Sequence, residues 1–387
     1  MARAGSPSRS VGRRATKKQS AKTAVKGEAV RDGRIVRSLA AWFAKNGRDL
    51  PWRTEPRQAY PSLVSELMLQ QTQVSRVLEK FGPFMARFAS VRALAEAHEN
   101  EVMAAWSGLG YYRRARLLHA CAKAIVRAHD GAIPVSIELL EELPGIGRYT
   151  AGAIASIVFG ERAAIVDGNV CRVLQRLEAR EGHAGDKNVM EWAWNRAEQL
   201  VTLTSRGKQV ARFNEGLMEL GATVCTPDGP KCGECPLAND CGALASGSTA
   251  TIPAAKPRAQ RQAVHHDVIV VYRKTRGGEY EFLLEQRPAT GLWAGLWQPP
   301  SLAGQPATPE FASLASKLGL PQTLSAQSQL PSETIFQTTH RTVHFRAWAA
   351  EAAASFRAGR RRWHRGTLLH AVGISNAHLA LLRNTPA

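Results

Sequence analysis

The sequence is short of acid. Across 387 residues, 32 aspartates and glutamates face 51 lysines and arginines, giving a formal charge of +19. Residues 1–27 hold no acidic side chain at all, only eight basic ones (Arg3, Arg9, Arg13, Arg14, Lys17, Lys18, Lys22 and Lys26). Beyond that tail, 43 basic residues still outnumber 32 acidic ones. A body this basic points to a polyanionic partner, nucleic acid first. Long apolar runs are missing too. No stretch reaches the roughly 20 residues that span a bilayer, and the N-terminus lacks the apolar segment of a secretory signal, so neither a membrane span nor secretion is expected. The expected location is cytoplasmic, and nucleoid-associated if the source is bacterial. Cysteine is scarce outside one place: four of six fall between Cys225 and Cys241, while Cys121 and Cys171 stand alone in helical patterns. That distribution excludes a disulfide framework and suggests a reduced chain with one metal site.

What is present divides the chain. Residues 1–28 are small, polar and basic, and are expected to form a disordered tail. Residues 29–246 carry helical periodicity almost throughout, beginning with Ile35, Val36, Leu39, Trp42 and Phe43. Residues 247–262, rich in small residues and proline, read as a linker. From 263 to 387 the pattern turns to strands (VIVVY at 268–272, YEFLLEQR at 280–287, TVHFRAWAA at 342–350), with helical stretches at 309–318 and 376–384. The second part is therefore an α+β domain.

Four stretches carry chemistry. In SELMLQQTQV (65–74), Leu63, Leu67, Val74 and Leu78 predict one helix over 62–79, along which Glu66, Gln70 and Gln73 form a polar stripe. Such a stripe is most often a solvated face. In LPGIGRYTAGA (143–153), Pro144 ends a helix, Gly145 and Gly147 turn the chain, and a new helix starts. Glycines there let a ligand approach the backbone, and free N–H groups at a helix start suit a phosphate, although an ordinary glycine-capped turn reads the same way. Asp167 precedes Gly168, Asn169 and a helical run, where capping is the usual role of aspartate. Cys225, Cys232, Cys235 and Cys241 have the spacing C-x6-C-x2-C-x5-C. Four thiolates in so short a loop bind metal, and spacing alone suits zinc and an iron–sulfur cluster equally.

LPGIGR in this setting resembles the helix-hairpin-helix motif of DNA-repair proteins. SELMLQQTQV, GLGYYRRAR (108–116), VDGNV (166–170) and the cysteine cluster stand in the order found in the endonuclease III superfamily of base-excision glycosylases. With the C-terminal extension, the set resembles the adenine-specific branch. The resemblance implies an all-α helix-hairpin-helix glycosylase domain with an iron–sulfur cluster loop, followed by an α+β Nudix-like domain. It implies one structural [4Fe–4S] cluster on the four cysteines. Its substrate would be duplex DNA with adenine opposite 8-oxoguanine or guanine, bound by a monomer.

The implied roles fall on particular residues. Cleaving a purine N-glycosidic bond calls for an acid to protonate the base and a carboxylate to face the sugar cation, and Glu66 and Asp167 match those positions. An apolar surrounding is expected to keep Glu66 protonated. Asn169 would brace the same turn. Tyr149 stands where the bifunctional branch has a Schiff-base lysine, which implies base removal without strand cleavage. Base flipping needs a wedge, and Gln70 and Tyr111 match it, with Arg113, Arg114 and Arg116 at phosphates beside Gly145, Gly147 and Arg148. Trp52 and Arg53 resemble part of the adenine pocket. QRPATGLWAGLWQPP (286–300) matches the Nudix-related segment, but 301–320 has a single acid, Glu310, so no pyrophosphatase signature is present. Thr338-Thr339-His340 replaces the family's Phe-Ser-His triplet, retaining only His340 for lesion contact. The rival readings are a bifunctional pyrimidine-damage glycosylase, which lysine at 149 would mark, and a non-catalytic DNA-binding module, in which neither carboxylate has a role.

Overall fold

The computed structural model describes residues 11–255, 260–304, 308–324, 326, 328–329, 334–338, 340–353 and 355–385, with backbone only at 11–26, 329 and 370. Its helices are α1 (Val11–Asn46), α2 (Ala59–Leu69), α3 (Val74–Arg87), α4 (Val91–Glu96), α5 (Glu99–Ala105), α6 (Arg113–His129), α7 (Ile137–Glu141), α8 (Arg148–Ala153), α9 (Gly168–Leu177), α10 (Lys187–Thr202), α11 (Lys208–Thr223), α12 (Gly242–Ala245), α13 (Phe311–Lys317) and α14 (Asn376–Arg383). Local chemistry sets several of the starts. Ser90, Ser136 and Asp186 cap α4, α7 and α10 by accepting backbone N–H bonds, and His98 with Glu101 closes a capping box on α5.

The chain divides into two compact units. The first comprises Met1–Leu63, Pro134–Glu142 and Ile146–Lys256. Its core gathers Ile35 and Leu39 of α1, Val170 and Leu174 of α9, Leu200 of α10, and Phe213 and Leu217 of α11. Arg196 of α10 grips Asp32 of α1 with two bonds of 2.6 and 2.5 Å, a bidentate pair that sets the register of α1. Ala163–Val166 is a buried segment outside helix and strand, and a Cβ on Gly152 would collide with the Ala164 carbonyl, so only glycine lets α8 lie this close. That segment delivers the chain to Asp167.

Two boundaries differ from expectation. Helix α1 begins at Val11, inside the stretch expected to be disordered, where Ala, Lys, Arg and Gln favour helix and no proline interrupts. The remainder of the expected tail, residues 1–10, lies outside the described residues. The stretch read as a linker starts tied down: Arg176 Nε donates to the Ile252 carbonyl at 2.7 Å, and the Ala254 N–H to the Gly182 carbonyl at 3.0 Å.

The second unit comprises Val64–Ile133, Leu143–Gly145 and Pro257–Ala387. Its strands are β1 (Gln262–Lys274), β2 (Tyr280–Gln286), β3 (Trp297–Gln298), β4 (Ser301–Ala303), β5 (Ser328–Gln329), β6 (Thr334–Gln337), β7 (Arg341–Glu351) and β8 (Arg362–Arg365). They form a mixed sheet in the order β3-β2-β1-β7-β5, with β4 on β1, β6 on β7 and β8 on β2. β1 and β7 run parallel from Gln262↔Arg341 to Tyr272↔Glu351. Val268 and Val270 face one core with α14, while Ile269 and Val271 face another with α13. Burial on both faces explains the unbroken apolar run VIVV. The helix expected over 62–79 is two: α2 ends at Leu69, Gln71 takes a left-handed φ of 55°, and Gln73 starts α3. Among the described residues, no helix is long and apolar enough to cross a membrane.

Candidate active site

Asp167 is the N-cap of α9. Its Oδ1 accepts the Val170 N–H at 2.7 Å, and its Oδ2 lies 3.4 Å from the Asn169 amide nitrogen. Burial pushes its carboxyl above the ordinary 3.8, while the Val170 and Asn169 N–H groups and the charge of Arg172 act against that shift. Asn169 is itself held: Arg172 Nη2 donates to its Oδ1 at 2.8 Å, and a Cβ on Gly221 of α11 would meet Asn169 Cβ at 2.8 Å. Capping and a poised carboxylate thus coexist in one residue.

In the same unit, Tyr149 donates its hydroxyl to Met218 Sδ at 3.0 Å. Arg148 is exposed, stacks over Trp194 at 3.9 Å and pairs with Glu198. Trp52 is buried. Arg53, expected to donate to a nucleobase, spends donors elsewhere: Nη2 on Glu219 at 2.9 Å, Nη1 on the Arg48 carbonyl at 3.0 Å, and Nε beside Glu215 at 3.3 Å. Arg48 and Arg57 join the same cluster through Glu219 and Glu215. Burial raises Glu215 above its ordinary value despite Arg57; burial also opposes ionisation of Glu219, but Arg48 and Arg53 outweigh it and leave that carboxyl lowered. Sequence reasoning missed this network. Its one signal was the acid pair Glu215 and Glu219, four residues apart on one helix and both buried on it.

In the second unit, Glu66 and Gln70 are half-buried at the end of α2 and just past it. Arg114, expected at a phosphate, is turned inward. Its Nη1 donates to the carbonyls of Leu67 (2.7 Å) and Met68 (2.8 Å), and its Nη2 to Thr72 Oγ1 (2.9 Å) and to the carbonyls of Leu109 (3.2 Å) and Gly110 (3.1 Å). The guanidinium therefore closes α2 and secures the loop before α6. This is the reason the polar QQTQ run breaks the expected helix. Tyr111 rides on that loop with φ of 46°, 44% exposed, its ring 5.5 Å from the Arg114 guanidinium. Arg113 is exposed; Arg116 is half-buried, paired with Glu99 and donating to the Ala294 carbonyl. Gly145, with φ of 80°, packs where a Cβ would meet Leu117 Cβ at 2.6 Å, whereas a Cβ on Gly147 would meet nothing. The hairpin's first glycine is demanded by the fold and its second is not. His340 is exposed at the turn between β6 and β7, while Thr339 lies outside the described residues.

Cys225, Cys232, Cys235 and Cys241 are half-buried, and burial together with the charges of the other three pushes the Cys235 thiol up to about 11. Four thiols in one another's field become thiolates only beside a cation, so the donor set fits a metal group. Among the described residues, no three His, Cys, Asp or Glu side chains are spaced to hold a single ion. Arg176 Nη1 lies 3.5 Å from Cys225 Sγ. Cys121 and Cys171 are fully buried, their thiols pushed up to about 12 and about 11 by burial.

Comparison with known proteins places this architecture. Residues 64–199 match the HhH-GPD superfamily base excision DNA repair protein family, and residues 269–384 a NUDIX domain. The adenine DNA glycosylase of Homo sapiens is 38% identical over 317 residues, covering 70% of this chain and 57% of that protein. That of Mycobacterium tuberculosis is 43% identical over 200 residues, covering 52% and 64%. The chain thus spans less than two thirds of the length of either relative. A thermostable thymine-DNA glycosylase of known structure is 26% identical with a TM-score of 0.49, covering 57% of this chain and 99% of that one. The adenine DNA glycosylase of Schizosaccharomyces pombe is 31% identical over 351 residues, covering 76% of this chain and 75% of that protein. On that correspondence along both domains, the chain belongs to the adenine DNA glycosylase family.

Proposed function

We propose that the chain is a monofunctional DNA glycosylase that hydrolyses the N-glycosidic bond of adenine opposite 8-oxoguanine or guanine in duplex DNA. The observation that carries this reading is Asp167: a half-buried carboxylate raised by burial, held by its own helix, in the VDGNV motif of the family. Glu66 gives its proton to the adenine, which leaves with the electron pair of the broken bond. Asp167 faces the positive sugar that remains. Water adds to that sugar and returns a proton to Glu66, leaving free adenine and an abasic site. Tyr149 forms no imine, so the strand stays intact. Tyr111 and Gln70 fill the gap left by the extruded base, while Arg113, Arg148 and the Gly145–Gly147 turn contact phosphates. His340 reads the opposite base. The committed donors of Arg53 favour shaping the pocket wall over contacting the base.

Cys225, Cys232, Cys235 and Cys241 would hold a [4Fe–4S] cluster, which supplies structural cross-linking of the 225–241 loop and no redox step. Purified protein should contain iron and inorganic sulfide in equal amounts, both lost in Cys235→Ser; zinc in their place would rule the cluster out.

The decisive assay uses a duplex with one adenine opposite 8-oxoguanine. Strand breaks should appear only after hot alkali. Breaks without alkali would indicate a lyase, and none in either case a binding module. Glu66→Gln should bind this duplex and lose at least about a hundredfold in single-turnover rate. Turnover retained in that variant would remove Glu66 from its role.

A further inference from the structure

The loop Gly108–Tyr111 is tied to the C-terminal domain from both ends. Ser107, just before it, and Tyr112, just after it, both donate to the carbonyl of Ile374, at 3.5 and 3.0 Å. Ile374 bridges Trp297 next to the sheet, and the Trp297 N–H donates to the neighbouring Gly373 carbonyl at 2.8 Å. This segment is pressed onto α5, since a Cβ on Gly373 would lie 2.9 Å from Met103 Cβ. A second tie runs from Arg116, one turn along α6, to the Ala294 carbonyl in the GLWAGLW loop. In that loop Trp293 takes a left-handed φ of 53° and stacks on Phe345 at 5.9 Å, inside the sheet domain's aromatic core. The loop carrying Tyr111 is thus suspended between one carbonyl of the sheet domain and the inward guanidinium of Arg114.

Conformational strain at Tyr111 has a consequence under this arrangement. A left-handed non-glycine residue holds only where its surroundings over-determine it. Here the surroundings include the domain assigned to reading the base opposite adenine. The geometry points to Tyr112 and Ser107 as positioning residues that pass the identity of the opposite base to the wedge. A small shift of the sheet domain on 8-oxoguanine moves the Ile374 carbonyl, and with it both ends of the loop that inserts Tyr111. The inference rests on the glycosylase reading and deepens it: discrimination between adenine opposite 8-oxoguanine and adenine opposite guanine is set partly at Tyr112, a residue that touches neither base.

Two variants open the joint from opposite sides. Tyr112→Phe keeps the buried ring and deletes the hydroxyl. Gly373→Ala pushes the Ile374 segment off α5 without altering α6. In single-turnover assays of the full chain, both should slow excision opposite 8-oxoguanine about tenfold and leave the rate opposite guanine unchanged. Amide hydrogen exchange of the free protein should rise at residues 108–111 in both variants. An equal fall on both duplexes would mean a structural role only, and exchange unchanged at 108–111 would refute the coupling. Wild-type protein inactive on both duplexes would instead refute the glycosylase reading, while the exchange result would still decide the coupling.

Discussion

Asp167→Asn should lower single-turnover adenine excision by about a thousandfold and, at neutral pH, raise the melting temperature of the protein. The two effects have one origin. Opposite an oxocarbenium-like sugar, a fixed carboxylate is worth a loss of that order when neutralised, the range found for a single preorganised electrostatic group. The same carboxylate is a burden to the folded ground state. Burial raises its pKa above the ordinary 3.8, so the fold binds that proton more tightly than the unfolded chain does. The associated stability is fully present below the unfolded value and is lost as pH rises through the folded one. Asparagine caps a helix about as well as aspartate and accepts the Val170 N–H with its side-chain oxygen, so the cap survives the change. The gain in melting temperature should therefore be seen near pH 7 and vanish below the aspartate range. A variant that loses activity and stability together would mean that Asp167 serves the fold alone. One that gains stability and keeps full activity would remove the residue from catalysis.

That trade-off is partly legible in the sequence. The position of Asp167 ahead of Gly168, Asn169 and a helical run showed the cap, and the family motif implied the chemistry. The packing around its neighbour Asn169 comes from a residue distant in sequence, Gly221. Strands β1, β2 and β7 and helices α13 and α14 follow from local pattern, because alternation and apolar runs are short-range signals. The expected helix over 62–79 breaks where one long side chain decides. Nothing within QQTQ says that a helix must stop at Leu69; the cause is a guanidinium 47 residues away from Leu67. Arginine in a basic protein reads as a DNA contact by default, yet four of those singled out, Arg53, Arg114, Arg116 and Arg148, also bond the protein's own carboxylates or carbonyls. Arg113 alone of the trio after Tyr112 is exposed.

Arg114→Ala should destabilise the protein by about 3 kcal/mol and release the wedge loop. The side chain is buried, 7% exposed, and bonds five acceptors from two directions, with Trp106 5.4 Å and Tyr111 5.5 Å from its centre. Deleting it strands the Leu67 and Met68 carbonyls at the end of α2, each costing about 1–3 kcal/mol when left unpaired in the interior. Relief of the buried charge offsets part of that cost: burial lowers the Arg114 pKa to about 10, yet the group remains a cation at neutral pH. Lysine is not a substitute. Its single ammonium cannot span Leu67 and Met68 on one side and Thr72, Leu109 and Gly110 on the other, and its ordinary pKa of about 10.4 gives burial far less room before the charge is lost. Arg114→Lys should recover well under half of the lost stability. Since Glu66 lies one residue before Leu67, loosening the end of α2 should also reduce excision in both variants, in proportion to the loss of order at residues 67–72 seen by amide exchange. If Arg114→Ala melted within a degree of the parent and excised adenine normally, the guanidinium would be a passive occupant and α2 would end for some other reason.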